Sequence, residues 1–351
     1  MPRVAIINHS ASHTGLGRYA TDLMEIAGTR SAGFSMIYND RMGNLDFPGQ
    51  TYRGVLPRFF TSGWYLNVRF QHLAYKKLEL KVEKMYESGY LVHYVDPLIK
   101  PFTNTEKSIV TIHDFFFLDR TYESNYRSLR YAQKNVRAYK KFSHVLAVSN
   151  HVKNQALAKG FEGEITVINP PVSRNFYHID SKKELRTELG LPEEKILILS
   201  IGDYIPRKNL DVIPETLKIL GDKYYLVRIG KSIASSITFE KVGTETVNKI
   251  YNACDVLLLP SLDEGYGFPV VESMATGLPV VASDIEIMKE IADDAAILVP
   301  PKPNNLADGI RDALLNKEKL IELGFKRAPL FSFEHISRQM IEYYDKISNQ
   351  I

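Results

Sequence analysis

Apolar and polar positions alternate in short blocks along this chain, and the block lengths predict strands and helices in turn. Val4 to Asn8 is an apolar run suited to a buried strand, and HSASHTGLGRYATDLMEIA behind it reads as a polar loop, two glycines and a helix. From Phe70 onward, Leu73, Ala74, Leu78, Val82 and Met85 recur at helical spacing, with Arg69, Lys76, Lys77, Lys81 and Lys84 elsewhere around the helix. Ser108 to His113, Val145 to Val148 and Ile165 to Ile168 are further strand candidates, after which NPPVSRNFYH breaks all periodicity. Its adjacent prolines make that segment a linker. The alternation then resumes with a helix, the strand KILILS, the amphipathic IGDYIPRKNLDVIPETLKIL, the strand Tyr225 to Gly230 and the apolar run Asp255 to Pro260. Pro269 opens a helix, because its fixed φ suits the first turn and its missing N–H costs nothing there, and Gly277 stops it. Pro279 to Ser283, a helix, the strand AAILVP and the helix in PKPNNLADGIRDALL follow, before a last helix in FSFEHISRQMIEYYDKI.

Strand, helix, strand crossovers make parallel strands, so the expectation is an α/β fold in two Rossmann-like halves. The linker places the domains at 1–170 and 171–330, with 331–351 as a closing helix. The chain's 351 residues suffice for two cores, since single cores stop growing near ~250–300 residues. No stretch approaches the ~18 consecutive apolar residues of a membrane span, and MPRVAIINHS lacks a signal peptide's long apolar region. A cytoplasmic protein is therefore expected. The single Cys254 excludes an internal disulfide and reads as buried filler beside an apolar run, and no Cys/His spacing of a structural zinc site occurs.

Charge changes the picture more than composition does. Residues 1–175 carry 23 Lys+Arg against 14 Asp+Glu, leaving 21 against 27 of the chain's 44 and 41 for the remainder. The basic half includes Arg127, Arg130, Lys134, Arg137 and Lys141 at helical spacing, and the aromatics Phe59, Phe60, Trp64 and Tyr65. Such faces are commonly just solvated, yet they also suit an anionic membrane surface. No nucleic-acid partner is expected.

The stretch DVLLLPSLDEGYGFPVVESMATGLPVVASD, Asp255 to Asp284, concentrates the candidate chemistry. Its loop follows a strand, where parallel sheets bind ligands. Backbone N–H groups near Gly267, Phe268 and Val270 begin a helix and favour an anion. Glu264 and Glu272 flank them with seven residues between. Carboxylates repel phosphate but accept from hydroxyls, so a diphosphate between two hydroxyl-bearing rings, a sugar nucleotide, fits both. Taken singly, Glu264 is equally a solvated loop charge and Glu272 a residue complementing the helix dipole. Arg207 and Lys208, between a strand and a helix, are placed to neutralise a diphosphate. Gly15, Gly17 and Ala20 satisfy G-x-G-x-x-A with Asp40 twenty residues past Ala20, the pattern of a dinucleotide site; however, six residues separate Asn8 from Gly15, too many for its tight turn.

The Asp255 to Asp284 segment resembles the donor-site signature of the family 4 retaining glycosyltransferases, a Glu, seven residues and a second Glu around a Gly-aromatic-Gly loop. The Pro-Arg-Lys-Asn string at 206–209, the Gly-x-Gly-Arg-Tyr string at 15–19 and the Ile-His-Asp string at 112–114 are similar to further motifs of that family. The resemblance implies the GT-B fold, with two Rossmann-like domains facing a cleft, acceptor binding in the first, nucleotide-sugar binding in the second, and a closing helix that crosses back. It implies that Glu264 contacts the transferred sugar and Glu272 holds the ribose, within a donor wall of Gly265, Tyr266, Gly267, Phe268 and Val270. Arg207 and Lys208 would stabilise the departing diphosphate, as would Gly15, Leu16 and Gly17. His113 would be a polar contact to the sugar, and Gly230, Lys231 and Val242 would line the base. The implied reaction moves a hexose, with GDP-mannose the first donor and a UDP-hexose the second, to a glycan or lipid-linked acceptor. No Asp-x-Asp pair appears, so no essential metal and no cofactor are expected. A sugar-nucleotide epimerase on the same fold, an NAD-dependent dehydrogenase and a non-catalytic sugar-nucleotide-binding subunit remain alternatives.

Overall fold

A computed structural model of the chain describes residues 2–8, 15–36, 50–54, 76, 79–95, 97, 101, 106–118, 126–233 and 235–350. They form two compact units, Met1–Pro170 with Ile336–Ile351, and Pro171–His335.

The first unit is built on strands β1 (Val4–Asn8), β2 (Ser31–Met36), β3 (Gln50–Gly54), β4 (Leu91–Tyr94), β5 (Ser108–Ile112), β6 (His144–Ala147) and β7 (Glu164–Val167). They lie in the order β3-β2-β1-β4-β5-β6-β7, every pairing parallel. Parallel sheets are covered on both faces, which is why β1, β4 and β5 are buried at every position. Two strands escape the hydrophobic pattern. QTYRG of β3 is polar, and LVHY of β4 holds His93, wholly buried because Thr111 and the Tyr344 hydroxyl satisfy both ring nitrogens. Of the basic helix expected from Phe70, Lys76 and residues 79–87 are described, with Val82 buried and Lys76, Lys81 and Lys84 exposed. Asp40, Phe59, Phe60, Trp64, Tyr65, Arg69, Phe70, Leu73, Ala74, Lys77 and Leu78 lie outside the described residues.

The closing helix runs Phe333–Gln350 and buries Ile336, Met340, Tyr344 and Ile347, one face at helical spacing. The units therefore divide between His335 and Ile336, inside this helix, rather than at 330/331.

The second unit orders β8 (Ile196–Ile201), β9 (Tyr224–Ile229), β10 (Ser236–Phe239), β11 (Val256–Leu259), β12 (Val280–Ser283) and β13 (Ala296–Val299) as β10-β9-β8-β11-β12-β13, again all parallel. The half-polar SITF of β10 gave no strand signal and is half-buried along its length. Ile198, Leu226, Val256, Leu258 and Val281 pack one face of the sheet against Ile213, Leu306 and Ile310. At the amino ends of β8 and β11, Asp255 accepts from the Leu197 amide at 2.7 Å and from Arg186 at 2.6 Å, which pins the two strands together. The proline-rich segment is no loose tether. The Val172 amide donates to Phe331 O at 2.8 Å, and the Tyr177 and Ile179 amides donate to the Asn248 and Asn252 side chains. The unit's own helices supply its backbone partners, so broken periodicity here marks irregular structure and not flexibility.

Candidate functional site

Both sheets reverse their strand order once. In the second, the chain leaves β8 toward β9 and β10, then returns to lay β11 on the other side of β8, so the loops after β8 and β11 flank the switch point. Ligands of open parallel sheets bind there. Gly202 follows β8 at φ +122°, open to glycine alone, and its amide donates to Ile229 O at 3.0 Å. A short 3-10 turn, Pro206–Lys208, ends on Asn209 at φ +51°, a left-handed position asparagine tolerates. That turn presents Arg207 and Lys208. After β11 the chain passes Ser261 and Leu262, and the Leu262 amide donates to Arg207 O at 2.7 Å, locking the two loops together.

Glu264 then meets both cations. Arg207 Nη1 donates to its Oε2 at 2.8 Å, Lys208 Nζ donates to its Oε1, and Ser261 Oγ donates to the same Oε1 at 2.7 Å. Glu264 as a whole is 6% exposed. Burial pushes its pKa up, but Lys208 and Arg207, with the Lys208 and Ser261 hydrogen bonds, outweigh burial and hold it below the usual carboxylate range. Two cations against one buried acid leave positive charge, partly offset by Asp263, whose carboxylate accepts from the Glu264 amide at 2.8 Å. Such a cluster favours an anion and preserves a carboxylate that accepts from hydroxyls.

Gly267, at φ +114°, caps the helix Phe268–Thr276, and Pro269 lies in its first turn. The Val270 amide donates to Gly267 O at 2.9 Å, so this N–H, expected to be free for an anion, is engaged by the tight first turn. Glu272 is 3% exposed and accepts from the Tyr251 hydroxyl at 2.7 Å. Tyr266 is buried edge-on to Phe268, ring centroids 5.1 Å apart, its hydroxyl pKa raised by burial and then by Glu272 and Glu290. Gly265 lies buried between the two acids in sequence.

The sequence candidates thus separate. Arg207, Lys208 and Glu264 form one bonded cluster. Gly230, at φ +125°, lies against Gly202 so closely that an added Cβ would come within 2.5 Å of Gly202 O. Lys231 is exposed beyond it, and Val242 is half-buried ahead of the helix Thr244–Ala253. In the first unit, Gly15, Leu16 and Gly17 are not a loop before a helix: the helix Gly15–Ala27 begins at Gly15 itself. In its second turn Tyr19 and Ala20 are buried, the Tyr19 hydroxyl sharing a 3.2 Å hydrogen bond with Thr111 Oγ1 of β5, and Thr21 Oγ1 donates to Gly17 O at 2.9 Å. His113 follows β5, half-buried, with Tyr19 edge-on at 4.8 Å between centroids. Sequence reasoning missed Ser261, Tyr251 and Arg228. Ser261 stands three residues before Glu264 and was open to notice; Tyr251 reaches Glu272 from the helix Thr244–Ala253, and Arg228 reaches Gly202 from β9, the strand beside β8. Among the described residues no three His, Cys, Asp or Glu side chains are grouped to hold a metal ion, and no helix is long and apolar enough to cross a membrane.

Residues 181–324, the greater part of the second unit, match the family Glycosyl transferases group 1. The O-antigen chain mannosyltransferase RfbU of Salmonella typhimurium is 26% identical over 319 residues, 83% of this chain and 84% of that protein. Among solved structures, sucrose-phosphate synthase of Thermosynechococcus elongatus aligns with a TM-score of 0.75 at 18% identity, covering 99% of this chain and 100% of that one. HepE of Anabaena, solved with UDP and glucose, aligns at 0.72 and 16%, covering 98% and 100%. These structural likenesses concern the fold, two Rossmann-like parallel-sheet units. The second unit thus carries the glycosyl transferases group 1 match, and the chain as a whole has the GT-B fold of glycosyltransferases.

Proposed function

We propose that the protein transfers a hexose, with retention, from a nucleotide diphosphate to a hydroxyl of a glycan or lipid-linked acceptor. The observation that carries this reading is the Arg207, Glu264, Lys208 cluster at the switch point of the second sheet. The bond from the anomeric carbon to the diphosphate oxygen breaks, the bond to the acceptor oxygen forms on the same face, and the acceptor's proton passes to the departing phosphate. Negative charge grows on that phosphate, where Arg207 and Lys208 stabilise it; fixed donors of this kind are worth ~10²–10³ in rate. Glu264 keeps both cations in place and offers its carboxylate to the sugar's hydroxyls, while Glu272, oriented by Tyr251, does the same for the ribose. Gly15, Leu16 and Gly17 are assigned to the diphosphate and His113 to the sugar by the family resemblance, as are Gly230, Lys231 and Val242 to the base.

GDP-mannose is the first donor proposed, supported by the mannosyltransferase RfbU, and a UDP-hexose the second, supported by the UDP held in HepE. The two cations replace a divalent ion, so turnover is expected to survive excess EDTA; strict dependence on Mg²⁺ or Mn²⁺ would defeat this. The basic first half suits an acceptor at an anionic cytoplasmic leaflet. A thermal-shift screen of nucleotide diphosphates tests the donor, since ligand at ~100 Kd adds ~2.7 kcal/mol of stability. GDP or UDP should raise Tm and NAD should not; the reverse would overturn the reading. Product formed from donor alone, without acceptor, would favour the epimerase instead.

A further inference from the structure

Arg228 stands in β9, two residues before Gly230, and none of its surface is exposed. A guanidinium is among the costliest groups to bury, and its burial is ordinarily offset by a carboxylate in contact. Here the partners are carbonyls: Nη2 donates to Gly202 O and Nη1 to Ile229 O at 3.2 Å. Nε is buried with no hydrogen-bond partner among the described residues. Asp203, on the exposed turn after Gly202, acts on it only as a nearby charge. Burial lowers its pKa to about 10, which leaves it charged at neutral pH.

Its place gives that charge a use. Gly202 carries Arg228 on its carbonyl and Lys208 over its α-carbon, where an added Cβ would lie 3.6 Å from Lys208 Cε and 3.9 Å from Nζ. Gly230 lies against the same carbonyl, its own added Cβ 3.3 Å from Arg228 Nη2. Arg207 and Lys208 share Glu264 as a counter-charge; Arg228 has no acid in contact among the described residues and sits beside Lys208 across Gly202. A methionine of similar length could fill the same space without burying a charge.

We propose that Arg228 is a positioning residue for the donor's diphosphate: it fixes the Gly202 and Gly230 turns against each other beside Lys208, and its buried charge is neutralised by the diphosphate rather than by an acid of the chain. The proposal rests on the sugar-nucleotide reading above and goes beyond it in naming what holds the turns and what completes the charge.

The test compares Arg228→Met and Arg228→Lys with the unaltered protein, measuring affinity for GDP against guanosine and for UDP against uridine, together with donor KM and kcat. Arg228→Met should lose tenfold or more of its nucleotide diphosphate affinity with under threefold change for the nucleoside, and donor KM should rise more than kcat falls. Arg228→Lys should recover most of the loss. Should Arg228→Met not fold, Arg228→Gln, which keeps a donor for Gly202 O but no charge, takes its place with the same expected outcome. A purely structural arginine would weaken diphosphate and nucleoside binding alike, and either that result or unchanged diphosphate affinity would overturn the proposal. If the unaltered protein binds neither nucleotide diphosphate, the sugar-nucleotide reading itself fails, and the inference with it.

Discussion

Replacing Lys208 by methionine isolates one charge in the Glu264 cluster. Its side chain is 13% exposed and Glu264's 8%, so methionine fills the space and the acid still keeps Arg207 at 2.8 Å and Ser261 at 2.7 Å. Glu264 thus stays paired, and folding stability should change little. The diphosphate fares differently. Two unit charges ~4 Å apart interact by ~4 kcal/mol at an effective dielectric of ~20. A nearly buried ammonium loses only part of this to solvent, and each ~1.4 kcal/mol is tenfold in rate. Lys208→Met should therefore lower kcat/KM for the donor by ~10²–10³, the range measured for a lost transition-state donor. Initial rates at subsaturating donor read the loss, and a melting curve checks that the fold is intact. Lys208→Arg keeps the charge but brings a planar fork where a point charge stood, so partial activity is expected. If Lys208→Met retained kcat/KM within threefold of the unaltered protein, the diphosphate would not lie at this cluster and the argument would fail.

Glu272→Ala should weaken binding of free nucleotide diphosphate, whereas Glu264→Gln should spare it and lower turnover; equal loss of affinity in both would undo the split between ribose and sugar. Asp255 gives the pH dependence. Burial raises its pKa, but Lys182, the Leu197 amide and Arg186 outweigh burial and hold the carboxyl below the usual range. A depressed folded pKa contributes stability above the ordinary value and loses it as pH falls through the folded one. Asp255→Asn, which breaks the buried pair with Arg186, should cost about 3–5 kcal/mol at neutral pH. In urea unfolding that gap should narrow below about pH 4; a gap unchanged at pH 3 would contradict the assignment. For the membrane surface, Lys76, Lys81, Lys84, Arg130, Lys134, Arg137 and Lys141 are exposed cations described in the first unit's basic helices and the turn after them. With ~1 kcal/mol for each cation near an anionic leaflet, and screening within ~8 Å at physiological salt, the protein should sediment with anionic vesicles and be released by salt. Equal recovery with neutral vesicles would remove the membrane from the proposal and leave the transferase standing.

Most of the fold was legible in the sequence, because hydrophobic periodicity is written within a few residues. The runs at Val4, Ser108, Val145, Ile165, Ile196, Val256 and Val280 all became parallel strands. The site loops were legible for the same reason: a glycine or proline acts where it stands, so Gly202, Gly267, Pro269 and Gly277 mark their turns without help from elsewhere. Strands whose residues are polar were not legible. LVHY needed Tyr344, 251 positions from His93, to make a buried histidine tolerable, and SITF needed β9 to pair with.

Nor could the sequence say what its candidates touch. Arg207 and Lys208 lie 57 and 56 positions from Glu264, and they meet only because β11 is laid beside β8 after the chain has gone out to β10 and back. The same crossing turned a proline-rich tether into a pinned segment and put the buried charge of Arg228 beside the Lys208 turn. Local patterning determined which segments are strands, helices and turns, since those preferences are set by neighbours in the chain. Which charges share a carboxylate, and which stay without one, was decided by strand order, a property of how two sheets bury their faces and not of any stretch of residues.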